Sequence, residues 1–213
     1  TDTLDCGTWF LHDSLELSEE AMNKGPFSWV ANKTLGKSTS NMLVLNTHLD
    51  TSIAINRYQK ITGDTQYAPL VESALQSTRT VLSLKPAKWL YKPLFWAIGL
   101  TMLPTETASQ LPVHIRAIKR IAWQFLIKKL PDIKAHFPRL VMPNGYIDRE
   151  LSLRTWAIDY QTINLMDLSR HTYAFPGAFD ENILELWNLK KIQKLISDFE
   201  GIKFEIYKNQ LII

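Results

Sequence analysis

Three polar residues in one predicted helix have a spacing that could bind an acidic sugar. Asn46, Asp50 and Arg57 are four and seven residues apart, so their side chains would lie on one helix face. A carboxylate next to a cation can bind a sugar hydroxyl or the carboxylate of a uronic acid. The same pattern also occurs on a solvated face, where an exposed ion pair contributes only about 0.3–0.5 kcal/mol. The sequence is compatible with both interpretations.

A histidine in the same segment could move a proton. His48 is two residues from Asp50 but on a different face of the helix. Imidazole titrates near neutral pH, so His48 could serve as a general base. On an otherwise apolar face it could equally be a structural histidine with both ring nitrogens hydrogen-bonded. Both interpretations of His48 stay open at this point.

Titratable residues near the start of the chain offer a second source of acid and base groups. His12 and Glu16 are four residues apart and would share a helix face as a proton-relay pair. The carboxylates of glycosidases flank the scissile bond across a cleft, so Asp13 would pair better with Asp50 or Asp159 than with Glu16. Acidic residues are also ordinary in the first turn of a helix.

The densest mixture of aromatic and polar residues lies between positions 144 and 170. Trp156, Tyr160 and Asn164 recur at helical spacing, and Tyr146 and Arg149 precede them. Aromatic rings can flank the face of a sugar, while amide and guanidinium groups bind its hydroxyls and carboxylate. The alternative is a helix whose aromatic residues pack in the core.

The segment from Lys88 to Trp96 alternates aromatic and basic residues. Trp and Tyr favour the level of lipid headgroups, and Lys favours anionic lipid, so the segment could contact a membrane peripherally. The basic residues could instead form a groove for an acidic glycan. A buried aromatic cluster with lysines that extend into solvent is the third interpretation.

Composition and motifs exclude several other functions. The net charge of +3 is too small to argue for nucleic acid, and we predict no nucleic-acid partner. The chain has no phosphate-binding glycine loop, CxxC, zinc-type histidine pair or Gly-x-Ser-x-Gly elbow, so we predict no metal or nucleotide cofactor. The single cysteine, Cys6, excludes an internal disulfide. With no signal peptide visible, it favours a cytoplasmic or membrane-peripheral location.

Apolar periodicity and turn signals indicate a mostly helical chain. They predict helices over 9–23, 41–61, 67–84, 111–130, 153–170 and 180–199, with further apolar sequence over 87–104. The Asn144-Gly145 pair predicts a β-hairpin over 140–151, and alternation predicts another over 203–213. We therefore predict an all-α domain with one or two small β-hairpins. We predict that residues 1–213 form a single domain, as a fragment or trimmed part of a longer protein, because the chain starts without Met.

The string RYQKITGDTQYAPLVESAL resembles a hairpin common in (α/α) toroid proteins that act on carbohydrates. The matching residues are Arg57, Tyr58, Thr62, Gly63, Asp64 and Tyr67. The resemblance implies a toroid-like arrangement of helical hairpins. The chain has room for fewer helices than a closed toroid needs, so we expect an incomplete ring or further hairpins in sequence outside this chain.

The first third of the chain also resembles the C-terminal domain of the glucuronyl epimerases of heparan-type polysaccharides. The likeness spans residues 5–82, and its matching residues are Gly7, Thr8, Asp13, Thr47 and His48. The resemblance implies an activity on uronic acid residues of a polysaccharide. Where that family has catalytic tyrosines, this chain has Phe10 and Val44 or a neighbouring residue, and phenylalanine cannot exchange a proton.

Together these observations predict a carbohydrate-active enzyme. It would act on an acidic, uronate-containing oligo- or polysaccharide by proton abstraction or glycosidic cleavage, as an epimerase, lyase or glycoside hydrolase. Arg57 or Arg149 would hold the substrate carboxylate. The alternative functions are a non-catalytic glycan-binding or membrane-peripheral helical module, and a helical protein–protein scaffold.

The candidate residues fall into two sets. The candidate catalytic residues are Asp13, His48, Asp50 and Asp159. The candidate substrate-binding residues are Trp9, His12, Asn46, Arg57, Tyr146, Arg149, Trp156, Tyr160 and Asn164.

Overall fold

A computed structural model describes residues 1–84, 87–143, 145–152, 154 and 160–179. These residues are mostly helical with one small two-stranded antiparallel sheet, so the predicted all-α class with a small β-hairpin is confirmed. The predicted toroid-like arrangement and the single-domain extent of 1–213 stay predictions. The helix predicted over 180–199 and the hairpin predicted over 203–213 lie outside the described residues.

The regular elements occur in the following order along the chain. The strands are β1 (Asp2–Leu4) and β2 (Gly7–Trp9). The helices are α1 (Glu19–Lys24), α2 (Leu45–Thr62), α3 (Ala68–Leu82), α4 (Lys88–Gly99), α5 (Thr105–Ser109), α6 (Val113–Ile121), α7 (Ile127–His136) and α8 (Tyr160–Ala174). Short 3-10 turns occupy Ser14–Leu17, Thr34–Gly36 and Leu100–Met102, and a π-helical turn occupies Ala122–Leu126.

The single helix predicted over 9–23 is wrong. Trp9 ends strand β2, and the following residues form a 3-10 turn and the short helix α1. The side chains of Asp13 and Ser18 each accept a backbone N–H two or three residues ahead. Both residues have extended backbone, so each begins a new helical turn and the two turns cannot merge.

The sheet packs directly against helix α3 through a glycine. Gly7 has φ +140°, and a Cβ added there would overlap the backbone carbonyl of Ser73. The next residue, Thr8, donates its backbone N–H to the Ser73 hydroxyl at 3.0 Å. The lack of a side chain at position 7 therefore permits the close approach of β2 to α3.

The predicted helical hairpin is present in α2 and α3. Gly63 ends α2 in the left-handed conformation with φ +74°, as the Thr-Gly-Asp turn predicts. Helix α2 begins at Leu45 rather than at residue 41. The side chain of Asn41 accepts the backbone N–H of Leu43 at 2.7 Å, and Leu43 itself has φ +55°, so this stretch is not helical.

The predicted hairpin over 140–151 is also present, although as a single antiparallel bridge between Val141 and Ile147. Asp148 donates its backbone N–H to the carbonyl of Leu140 at 2.9 Å. Beyond the turn the chain runs beside the start of α2, where Leu45 N–H binds the Arg149 carbonyl at 2.8 Å. This contact brings Arg149 to the N-terminal end of α2.

Three apolar clusters lie among the described residues, and the two largest of them join most of the elements. The larger contains residues from β1, β2, α2, α3, the 140–151 hairpin and α8. The smaller joins α4, α7 and the hairpin through Ala87, Tyr91, Leu94, Ile98, Leu130 and Met142. Helices α6 and α7 are continuous through the π-helical turn, and Pro131 lies inside α7 instead of ending the helix as predicted. No helix among the described residues has the length and apolar character needed to cross a membrane.

Candidate functional site

Four polar side chains from separate parts of the chain meet near the N-terminal end of α2. Arg149 Nη2 lies 3.0 Å from His12 Nε2, and His12 Nδ1 lies 2.7 Å from the Thr47 hydroxyl. The Arg149 guanidinium carbon is 4.3 Å from the centre of the Tyr160 ring. His12, Arg149 and Tyr160 were each predicted as substrate-binding residues, and the fold brings them together. We call His12, Thr47, Arg149 and Tyr160 the His12 cluster.

The contacts of His12 define its protonation state. A guanidinium group can only donate, so His12 Nε2 accepts from Arg149 and His12 Nδ1 carries the proton that Thr47 accepts. Burial lowers the pKa of His12, and the positive charge of Arg149 lowers it further, against a smaller opposing effect of Asp13. His12 is therefore a neutral base, and its Nε2 lone pair accepts a hydrogen bond from the guanidinium group.

Contacts within the 140–151 hairpin and with α7 fix the backbone of Arg149. Asp148 accepts the Arg149 backbone N–H at 2.9 Å and forms an ion pair with Lys134, and both side chains of that pair are buried. Tyr146, another predicted substrate-binding residue, is half-buried and donates its hydroxyl to Asp148 at 3.3 Å. The backbone of Arg149 is thus fixed by a buried charge pair, while its side chain is 15% exposed.

Two buried carboxyl groups lie within electrostatic range of this cluster. Burial raises the pKa of Glu16 to about 7, and repulsion from Glu150 adds to the increase. Burial also raises the pKa of Glu150, and Arg149 opposes it from 3.8 Å between Nε and Oε2. Hydrogen bonds from the backbone N–H groups of His12 and Met42 oppose the effect of burial on the Glu16 pKa. Glu16 can therefore take up or release a proton near neutral pH.

The amide side chains of the predicted site have different surroundings. Asn46 is half-buried in the first turn of α2, and its Oδ1 has no hydrogen-bond partner among the described residues. Asn164 is fully buried, and its Nδ2 donates to the Ile147 carbonyl at 3.0 Å. Asn164 thus attaches α8 to the hairpin, while Asn46 retains an acceptor beside Thr47.

A second polar cluster lies further along α2. Arg170 Nη1 donates to Asp50 at 2.8 Å and to Asp167 at 3.2 Å. Burial, followed by repulsion from Asp50, raises the pKa of Asp167 to about 6. Arg57 is exposed, so the cation that pairs with Asp50 is Arg170 and not the predicted Arg57. Arg170 lies 120 residues from Asp50, so no local pattern in the sequence indicates this pair.

His48 and Trp9 lie in the protein core. His48 Nδ1 accepts the Phe10 backbone N–H at 3.1 Å, so Nε2 carries the proton and donates to Thr78 Oγ1 at 2.8 Å. The Trp9 ring stacks on His48 with 3.7 Å between the ring centres, and both side chains are 0% exposed. Burial lowers the pKa of His48 to about 3, so it stays neutral. The structure therefore gives His48 the structural role and places Trp9 where no sugar can reach it.

The remaining predicted residues are placed as follows. Asp13 is exposed, and the Leu15 backbone N–H lowers its pKa, so it serves as an ionised helix cap. Asp159 and Trp156 lie outside the described residues. In the part of the chain that the structure describes, no three His, Cys, Asp or Glu side chains are grouped so as to bind a metal ion.

Comparisons with known proteins identify no relative of the chain. No protein-family model matches the chain, and neither the curated proteins nor the solved structures contain a match. The resemblance of residues 5–82 to the glucuronyl epimerases therefore stays a prediction. The geometry of the His12 cluster and its neighbouring carboxyl groups is therefore the basis for a function.

Proposed function

We propose that the protein acts on an acidic, uronate-containing glycan by removing the proton from the ring carbon next to the uronate carboxylate. The observation that carries the proposal is the 3.0 Å contact between Arg149 and the unprotonated nitrogen of His12. This contact places a fixed cation beside a neutral base. Proton abstraction next to a carboxylate needs a base at the C–H bond and is assisted by a cation at the carboxylate.

Arg149 is suited to hold the substrate carboxylate. Guanidinium binds a carboxylate through two parallel hydrogen bonds, and its charge stabilises the negative charge that develops on the carboxylate oxygens. Arg149 Nη2 contacts His12, and Nε has no hydrogen-bond partner among the described residues, so the group has donors left for a carboxylate. A bound carboxylate would replace His12 as the acceptor of the Arg149 N–H.

His12 would then serve as the base. Its Nε2 lone pair, released from Arg149, takes the proton from the ring carbon, and the electron pair of the C–H bond moves onto the carboxylate. The lowered pKa keeps His12 unprotonated before the reaction. Thr47 accepts the Nδ1 proton throughout and fixes the ring orientation.

Tyr160 is the candidate acid because its ring packs against Arg149. A proton from its hydroxyl to the opposite face of the same carbon gives an epimer. A proton to the departing glycosidic oxygen gives elimination and an unsaturated sugar. Both products start from the same abstraction, so the proposal covers epimerase and lyase outcomes alike.

The test is proton NMR in heavy water with a panel of uronic acid polysaccharides. We expect deuterium at the ring carbon next to the carboxylate, or a new alkene signal. His12→Gln should lower the rate of exchange at least a hundredfold, within the range for loss of a general base. His114→Gln is the matched control, since His114 is exposed on α6, and it should keep the wild-type rate.

Two results would contradict the proposal. One is the absence of exchange and of alkene with every polysaccharide in the panel. The other is an unchanged rate in a folded His12→Gln variant, with folding checked by circular dichroism. Tyr160→Phe separates the two proton transfers, because it should lower product formation more than it lowers the first exchange.

Non-catalytic glycan binding is the second candidate, and the stacking of Arg149 on Tyr160 favours it. A cation on an aromatic ring is a rigid platform that can bind a uronate without chemistry. Titration calorimetry distinguishes the two. The wild type would then bind the glycan without deuterium exchange, and Arg149→Gln would abolish the binding. This pair of results would indicate a non-catalytic binding module.

A further inference from the structure

Exposed apolar side chains are concentrated in one part of the fold. Of the fourteen large apolar residues that are exposed among the described residues, eight lie between positions 87 and 139. They are Trp89, Trp96, Met102, Val113, Ile121, Trp123, Phe125 and Phe137. Isolated exposed apolar residues are normal, but such a concentration is typical of an interaction surface.

The same segment has a large local excess of positive charge. Residues 87–139 contain nine Lys and Arg against two Asp and Glu, a net charge of +7, whereas the whole chain has +3. Most of these basic side chains are exposed, including Lys88, Lys92, Arg116, Arg120 and Lys128. Exposed apolar and exposed cationic side chains therefore both occur in this part of the fold.

Aromatic and basic residues are interleaved on the individual helices. On α4, Trp89 and Trp96 are seven residues apart and lie on one helix face, with Lys92 between them. The Trp89 ring also contacts Phe137 edge-on, with 6.4 Å between ring centres. Helix α4 packs against α6 and the π-helical turn, so these rings and Trp123 belong to one packed unit.

An open groove of about 360 Å³ lies next to Trp123 in this unit. Its charged lining residues are Arg116, Lys119 and Arg120, and all three are cations. Lys119 is held by the Leu103 carbonyl at 3.2 Å, which keeps its charge at the groove. The groove combines an indole ring with three positive charges, and this combination suits a phosphate headgroup beside an apolar chain.

We infer that residues 87–139 dock the protein on the surface of an anionic lipid bilayer. Trp89, Trp96 and Trp123 lie at the headgroup level, and Arg116 and Arg120 bind lipid phosphates. Tryptophan favours that level because its ring is apolar with one polar N–H. A second copy of the chain would bring two strongly positive surfaces together, which favours lipid over self-association. The inference is independent of the proposed glycan chemistry.

The test is flotation of the full chain with two kinds of vesicle. One is phosphatidylcholine alone, and the other is an equimolar mixture of phosphatidylcholine and phosphatidylglycerol. We expect binding to the mixture only, with an affinity that falls as salt is added. Light scattering without vesicles reports self-association in the same samples.

Paired variants distinguish specific binding to anionic lipid from nonspecific adsorption to vesicles. The double variant Arg116→Gln, Arg120→Gln should lower the partition coefficient roughly thirtyfold, from the attraction of two cations near the membrane. The control double variant Lys33→Gln, Lys60→Gln loses the same charge from exposed side chains elsewhere and should change it only slightly.

The apolar contribution has its own matched pair. Trp123 and Tyr173 are both 67% exposed, so neither substitution by alanine should affect folding. We expect Trp123→Ala to weaken vesicle binding and Tyr173→Ala to leave it unchanged.

Three results would overturn the inference. The first is no binding to anionic vesicles. The second is an equal loss of vesicle binding in a test variant and in its control variant. The third is a dimer in solution whose formation Trp123→Ala abolishes, because the surface would then be covered by a second copy.

Discussion

Replacing Glu16 by glutamine should make the protein more stable at neutral pH and leave it nearly unchanged at acidic pH. The Glu16 side chain is buried, and burial raises the pKa of its carboxyl group from 4.5 in the unfolded chain to about 7 in the folded protein. Glutamine has nearly the same shape and carries no charge at any pH. The variant therefore removes the ionisation of this site and little else.

The direction of the change in stability with pH follows from the number of protons bound by the folded and unfolded states. Below pH 4.5 the carboxyl group is protonated in both the folded and the unfolded protein, so stability does not depend on its pKa. Between pH 4.5 and about 7 the unfolded chain releases the proton and the folded protein keeps it, so the free energy of unfolding falls. At about 1.4 kcal/mol per pH unit, this interval corresponds to a loss of about 3 kcal/mol that persists above pH 7.

The assay is urea denaturation of both proteins across this pH range. The free energy of unfolding of Glu16→Gln minus that of the wild type should rise by about 3 kcal/mol from acidic to neutral pH. Glu72→Gln is the control, because Glu72 is exposed on α3, and its difference should be flat. A flat difference for Glu16→Gln as well would refute the reasoning, since Glu16 would then ionise as readily in the folded protein as in the unfolded chain.

Two further predictions concern the elements that position the candidate site. Lys134→Met should lower the free energy of unfolding by about 3–5 kcal/mol in a urea titration, because it removes the cation that pairs with the buried Asp148 carboxylate. The control is Lys129→Met, at an exposed ion pair on the same helix, which should lower it by at most about 1 kcal/mol. Gly7→Ala should lower the melting temperature strongly, because its Cβ would overlap the Ser73 carbonyl and force β2 away from α3. Gly99→Ala, where no atom lies within 4 Å, should leave the melting temperature unchanged or raise it, and equal losses in both glycine variants would contradict the argument.

Local signals in the sequence determined the helical hairpin and the 140–151 turn. Gly63 and Gly145 both have positive φ, and each lies where the turn chemistry predicts it. Such signals act over a few residues, so they can be read without knowing the rest of the fold. The short elements at the start of the chain were harder to predict, because the caps at Asp13 and Ser18 interrupt an apolar pattern that otherwise resembles one helix.

The residues of the candidate site were partly predictable by type. His12, Arg149 and Tyr160 were selected because their chemistry suits an acidic sugar, and Glu16 because of its spacing from His12. The sequence could not show that His12 and Arg149, 137 residues apart, are in contact. It also could not show that His48 is sealed in the core while His12 is only half-buried.

The sequence by itself determined the helical class, the principal turns and the kinds of side chain available for chemistry. Only the tertiary structure decided which of those side chains meet and which lose contact with water. Burial gives Glu16 a pKa near neutrality, and the packing of α8 against α2 makes Arg170, rather than Arg57, the cation that pairs with Asp50. The physical reason is that charge, protonation and access depend on the packing of segments distant in sequence, and short-range patterns carry no information about that packing.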